Sequence, residues 1–155
     1  MSRALPLIFA LFCLACAPRA RVQGVLLSDD QGRLELVEPE GKSTRVHLTP
    51  TSAALTALEE CTVAVTGPKL GRGVWARDWE VLTAADGSAP FVGRLELRGS
   101  NILLHDRQTG SMLMLSPESA APLAPFNGDI IMVIGFVEGP NLIRVMGWRV
   151  LEDLP

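Results

Sequence analysis

The stretch Leu48-Thr49-Pro50-Thr51-Ser52-Ala53-Ala54 returns 67 residues later as Leu115-Ser116-Pro117-Glu118-Ser119-Ala120-Ala121. Outward from this pair the two halves keep matching in order. Gly24 and Leu26 correspond to Gly93 and Leu95, and Leu34 to Leu103. Val63, Val65 and Gly67 correspond to Ile131, Val133 and Gly135, and Trp79, Val81 and Leu82 to Trp148, Val150 and Leu151. The shift stays between 67 and 69 residues throughout. Conserved order and near-constant shift mark a duplication of one unit, with too few copies for a solenoid.

Each unit reads as strands around one short helix. In the first, residues 22–28 are extended, Asp29-Asp30-Gln31-Gly32 is a turn, and 33–37 alternate with Leu34 and Leu36 on one face. After Pro39-Glu40-Gly41-Lys42, residues 44–48 alternate again, with Val46 and Leu48 facing inward. Thr51 and Ser52 can cap a helix over residues 53–60. Residues 61–66 return to strand, with Cys61, Val63 and Val65 inward. A glycine loop from Gly67 to Gly73 leads to a last strand through Trp79 and Leu82.

The order of three strands, a helix and two strands resembles the OB-fold, a five-stranded Greek-key barrel with its helix between strands three and four. The resemblance implies an all-β protein with short helices, built as two tandem five-stranded OB-like barrels. Their expected spans are 22–83 and 91–155, joined by a linker at 84–90. It is also similar to small secreted bacterial OB domains.

Composition fits this reading. The 155 residues are 48% hydrophobic and 20% charged, which excludes a disordered or collagen-like chain. The net charge of −3 offers no footprint of a nucleic-acid binder. Aromatic residues are 5%, with no tyrosine, so stacking platforms are scarce. Three cysteines do not make a disulfide scaffold.

The N-terminus reads as an address. Arg3 precedes an uncharged, mostly apolar run from Ala4 to Ala17, too short to cross a bilayer, which needs about 20 residues. It suits the apolar core of a secretory signal. Cleavage after Ala17 would leave Pro18 behind the cut, a poor substrate; cleavage before Cys16 is the alternative. Leu14-Ala15-Cys16 resembles the lipobox of bacterial lipoproteins, although Cys13 and Leu14 depart from the usual residues. That resemblance implies a signal peptide at 1–15, acylation of Cys16 and a tether at 16–21. Ala17 resembles the outer-membrane sorting class, which implies a lipid-anchored protein of the outer membrane, facing the periplasm. The mature chain keeps 13 Lys and Arg against 17 Asp and Glu, a net charge of −4. Cys61 is then the one thiol besides the anchor, expected buried and inert.

The two units differ in their outward faces. The first carries Arg33, Glu35, Arg45, His47, Thr62 and Thr66 outward. In the second, strands two, three and four are apolar on both faces. With Leu103, Leu113, Leu115, Ile131 and Val133 filling the barrel, Ile102, Leu104, Met112, Met114, Ile130, Met132 and Ile134 are expected outward. An exposed apolar surface of that size calls for a cover. The candidates are the first barrel, another copy of the chain, a protein partner and a greasy ligand. A non-catalytic envelope lipoprotein, acting as a protein-interaction or assembly module through Ile102, Leu104, Met112, Met114, Ile130 and Met132, is the leading expectation.

The alternative is binding of a small ligand, oligosaccharide or anion in the groove of the first barrel, with Lys69, Arg72 and Trp75 at its rim. Catalytic signals are thin. Ser111, His105 and Asp106 lie on one hairpin with no strained nucleophile turn. Asp29-Asp30 reads as a turn more readily than a calcium site. No cluster has zinc spacing, and no cofactor is implied.

Overall fold

The structure, a computed structural model, describes residues 18–152. The signal-peptide and Cys16 expectations lie outside these residues. The first barrel is made of β1 (Arg19–Ser28), β2 (Leu34–Val37), β3 (Ser43–His47), β4 (Thr62–Leu70), β5 (Gly73–Trp75) and β6 (Asp78–Thr83). Its order is β1-β2-β3-β5-β4, closed by pairing of β1 with β4; β6 runs on beside β4. The fifth strand is therefore broken into β5 and β6 at Ala76 and Arg77. The second barrel holds β7 (Phe91–Arg98), β8 (Asn101–Asp106), β9 (Met112–Leu115), β10 (Ile130–Gly139) and β11 (Leu142–Glu152). It closes in the same order, β7-β8-β9-β11-β10. The protein is two closed five-stranded barrels in tandem, OB-like in strand order.

The helices are shorter and tighter than the repeat suggests. Residues 53–60 are expected to be helical; instead a 3₁₀ helix covers Pro50–Ala57. Pro50 takes the first helical position, where its missing N–H is no loss. Ser52 Oγ accepts the Thr49 N–H at 2.8 Å, and Thr49 Oγ1 donates to the Ala76 carbonyl at 2.6 Å. That second bond ties the helix start to the break between β5 and β6. In the second barrel α1 (Pro117–Ala120) is followed by a 3₁₀ helix over Ala121–Phe126.

Four glycines permit closure. A Cβ on Gly24 would lie 2.5 Å from the Val37 carbonyl oxygen, and one on its counterpart Gly93 2.0 Å from that of His105. A Cβ on Gly67 would lie 1.7 Å from the Trp75 carbonyl oxygen, and one on Gly135 2.2 Å from that of Arg144. At these points one strand runs against the backbone of another, and no side chain fits.

The expected facing holds in barrel 1, where Leu34, Leu36, Val46, Cys61, Val63 and Val65 share one core. Leu48 is the exception and is exposed. In barrel 2, strand β8 is reversed. Ile102 and Leu104 are in the barrel core with Leu115 and Ile131, so they are not surface residues. The register gives the reason. Leu104 opposes Leu113 and Ile102 opposes Leu115, and opposed residues share a face. Leu34 therefore corresponds to Ile102, one residue from the match made on sequence, and a slip of one turns every side chain over.

The outer face of β10 is covered by barrel 1. Met132, 2% exposed, belongs to the core cluster of barrel 1 together with Val92 and Leu151, and Ile130 and Ile134 pack against that cluster. Polar contacts edge this joint. Arg107 Nη2 meets Asp78 Oδ1 at 2.9 Å and its guanidinium lies 4.3 Å from the Trp79 ring centroid. Gln108 Nε2 donates to Glu80 Oε1 at 2.7 Å, and Arg149 Nη1 to the Ala57 carbonyl at 2.7 Å. Arg21, first, and Gln108 hold the Glu80 carboxyl below its ordinary value. Trp79 and Trp148 match in sequence but not in setting. Trp79 is buried at the joint, whereas Trp148 is 39% exposed and its ring meets that of Phe126, centroids 5.0 Å apart.

Met132→Ala should lower stability by about 2–5 kcal/mol, the range for truncating a buried methionine. Met112→Ser with Met114→Ser, at exposed positions, should change it by less than about 1 kcal/mol. Urea unfolding midpoints would separate the two cases, and equal losses would contradict the facing described here.

Candidate functional site

The outer face of β2, β3 and β5 carries the richest set of polar and aromatic side chains. Glu35 opposes Arg45 across β2 and β3, and β3 runs parallel to β5 with Arg45 beside Gly73 and His47 beside Trp75. The His47 and Trp75 rings stack with centroids 5.1 Å apart and planes 23° apart. Gly73 makes the stack possible, because a Cβ there would stand 2.5 Å from His47 Nε2. The imidazole thus lies flat on bare backbone, with the half-exposed indole beside it.

Two adjoining recesses open on this face. One, of about 430 Å³, is lined by Glu35, Ser43, Arg45, His47, Leu70 and Arg72. The other, of about 340 Å³, is bounded by Arg33, Arg45, His47, Leu48 and Trp75. Arg33 is tied to Asp29 at 2.6 Å, and Ser43 Oγ donates to Glu35 Oε2 at 2.5 Å. The Asp29 carboxyl also accepts the Arg33 and Gln31 N–H groups, which lowers its pKa and makes the Asp29-Asp30 turn self-contained.

Of the three residues expected at the rim, two are brought together. Arg72 and Trp75 line the recesses. Lys69 does not. It opposes Val74, whose side chain fills the barrel core, so Lys69 is on the other face of the sheet. The expected loop from Gly67 to Gly73 is largely strand, since β4 continues to Leu70. Arg45 and His47 join the site instead. Their signal was present in the alternation of residues 44–48, but pairing them with Trp75 requires the parallel contact between strands three and five.

The second barrel has no such platform. Its matching face carries Leu103, His105, Met112 and Met114, with Leu142 beside Met114 where barrel 1 has Gly73 beside Arg45. Of the six residues expected to bind a partner, Ile102 and Leu104 are inside the barrel, and Ile130 and Met132 are covered by barrel 1. Only Met112 and Met114 remain exposed. The Ser111, His105 and Asp106 grouping is not assembled. Asp106 Oδ2 accepts from the Thr109 N–H and hydroxyl, which closes the hairpin turn, while His105 pairs with Glu96. Cys61 is fully buried, and burial pushes its thiol pKa up, away from reactivity. Among the described residues, no group of three or more His, Cys, Asp and Glu side chains could hold a metal.

No protein-family model matches the chain, and no curated protein matches it. Among solved structures, the crystal structure of the tetrameric p202 HIN2 is similar at 13% sequence identity, covering 86% of this chain and 94% of that one, with a TM-score of 0.30. The OB-like assignment therefore stands on strand order and barrel closure.

Gly73→Ala should push the imidazole off the sheet and separate it from Trp75. Ring-current shifts of the His47 protons, read by NMR, should collapse toward unstacked values while the barrel amide pattern persists. Retained shifts would mean that the glycine does not hold the stack.

Proposed function

We propose that the chain is a non-catalytic binding module of the bacterial cell envelope, anchored by lipid on Cys16 and engaging an acidic oligosaccharide on the outer face of β2, β3 and β5. One observation carries this reading: the His47–Trp75 stack on Gly73, flanked by Arg45 and Arg72. A ring-bearing ligand can lie against the exposed indole, and negative charge on it can meet the two guanidinium groups. The two recesses adjoin through Arg45 and His47, which line both, and Glu35 and Ser43 add hydrogen-bonding groups to one of them. The assembly-module reading loses its support, because most of the apolar surface on which it rested is occupied within the chain.

The lipid anchor follows from the lipobox resemblance and gains a geometric consequence. Arg19 to Arg21, expected in the tether, belong to β1 and pair with Pro68 to Thr66. Only Ala17 and Pro18 then separate Cys16 from the barrel. The ligand face would ride close to the membrane surface, where its local concentration near envelope glycans is raised.

Screening the purified protein against an array of acidic oligosaccharides, followed by calorimetry on the best binder, tests the site. Trp75→Ala should weaken binding about tenfold, in line with about 1–3 kcal/mol for a stacking aromatic. Arg45→Ala with Arg72→Ala should weaken it further and flatten its salt dependence. Binding that is indifferent to all three changes would remove this face from consideration. The anchor has its own test: Cys16→Ser should abolish incorporation of labelled palmitate and move the protein from the membrane to the soluble envelope fraction. A wild-type protein that takes up no label would refute lipidation without touching the ligand site.

A further inference from the structure

We propose that His105, Met112 and Met114 form a binding site for a soft monovalent cation, Cu(I) or Ag(I), on the outer face of barrel 2. The register assembles the donors. His105 opposes Met112 across β8 and β9, and Met114 is the next residue on the same face, opposite Leu103. Side chains directly opposed across antiparallel strands have Cβ atoms about 4.5–5.5 Å apart, and diagonal neighbours remain within reach of long side chains. Two thioethers and one imidazole can therefore converge on a single ion without backbone movement.

Both methionines reach solvent beside Leu103, which is 9% exposed on the same face opposite Met114. Met112 is 38% and Met114 41% exposed, while Met132, the packing methionine of the same barrel, is buried. Thioether sulfur is a soft, uncharged ligand and selects Cu(I) over zinc, calcium or magnesium. A set of two thioethers and a neutral imidazole adds no negative charge, which suits a monovalent ion.

The histidine is already held in a ligand's attitude. Its Nε2 is hydrogen-bonded to Glu96 Oε2, and Arg98 fixes Glu96 through Nε at 3.0 Å and Nη2 at 2.8 Å. A metal-binding histidine commonly donates its second ring N–H to a carboxylate, which fixes the tautomer and leaves the other nitrogen as the donor. With Nε2 committed to Glu96, Nδ1 is the nitrogen free to bind. Barrel 1 cannot share the property, since Arg45 and His47 stand on the matching face of β3.

The test uses residues 16–155 with Cys16→Ser, so that buried Cys61 is the one thiol, carrying methyl-¹³C methionine and titrated with silver nitrate in chloride-free buffer. Ag(I) serves as a redox-inert probe. The expected result is that the methyl signals of Met112 and Met114 and the ring signals of His105 move together and saturate at one equivalent. Met146, the most exposed methionine among the described residues, should stay still over that range. Met112→Leu with Met114→Leu keeps apolar bulk at exposed positions and should weaken binding at least about a hundredfold. Zn(II) should move none of these signals. Met146 shifting in step with the pair, saturation at Cys61 alone, or unchanged affinity in the double variant would each overturn the site.

Discussion

Close approach of backbone to backbone at four glycines is the constraint on which this structure depends. A five-stranded barrel is small, and its first and fourth strands must bend hard to meet and close. At Gly24 and Gly93, and at Gly67 and Gly135, a strand passes so near a carbonyl of its neighbour that a methyl group has no room. Closure in turn brings strand five alongside strand three in parallel, and that contact places Trp75 on His47 in one barrel and Leu142 beside Met114 in the other. Both candidate binding faces are thus consequences of how the barrels shut.

The two copies share this frame and spend their outer faces differently. Barrel 1 keeps charge and aromatic rings on strands two, three and five. Barrel 2 gives up the flank of β10 to its neighbour, so Met132 lies in a core that belongs mostly to the other copy. The joint explains why Trp79 is buried and Trp148 is not, although sequence aligns them: barrel 2 covers the first, while the second stays partly open beside Phe126. Equivalent residues differ because their neighbours differ.

Much of this was legible in the sequence. The glycines that align the two halves are the closure glycines themselves, and the strand order follows from alternation and turn chemistry. The short helix was placed three residues late because Pro50 reads as a strand breaker before it reads as a first helical residue. The facing of β8 could not be read, since Ile102-Leu103-Leu104 is apolar on both sides and carries no period. Register alone decides it. The inter-barrel cover of Ile130, Met132 and Ile134 was one of the open alternatives, and only packing distinguishes a covered face from a free one. His47 was visible as an outward residue, yet its partnership with Trp75 spans the whole unit and has no local signature.

The joint between the barrels also sets a limit on growth. It is head-to-tail: the floor of barrel 1 around Trp79 grips the flank of the fourth strand of barrel 2, two different surfaces. Repeated from molecule to molecule, a contact of that kind would run on without closing, as in a filament. The flank that the next molecule would offer is strand four of barrel 1, where Thr62, Ala64 and Thr66 stand in place of Ile130, Met132 and Ile134. Ala64 there is already buried, and the Arg21–Glu80 ion pair, 2.7 Å long, spans the strands on either side of it, so a chain-to-chain copy of the Met132 contact would have to displace that pair.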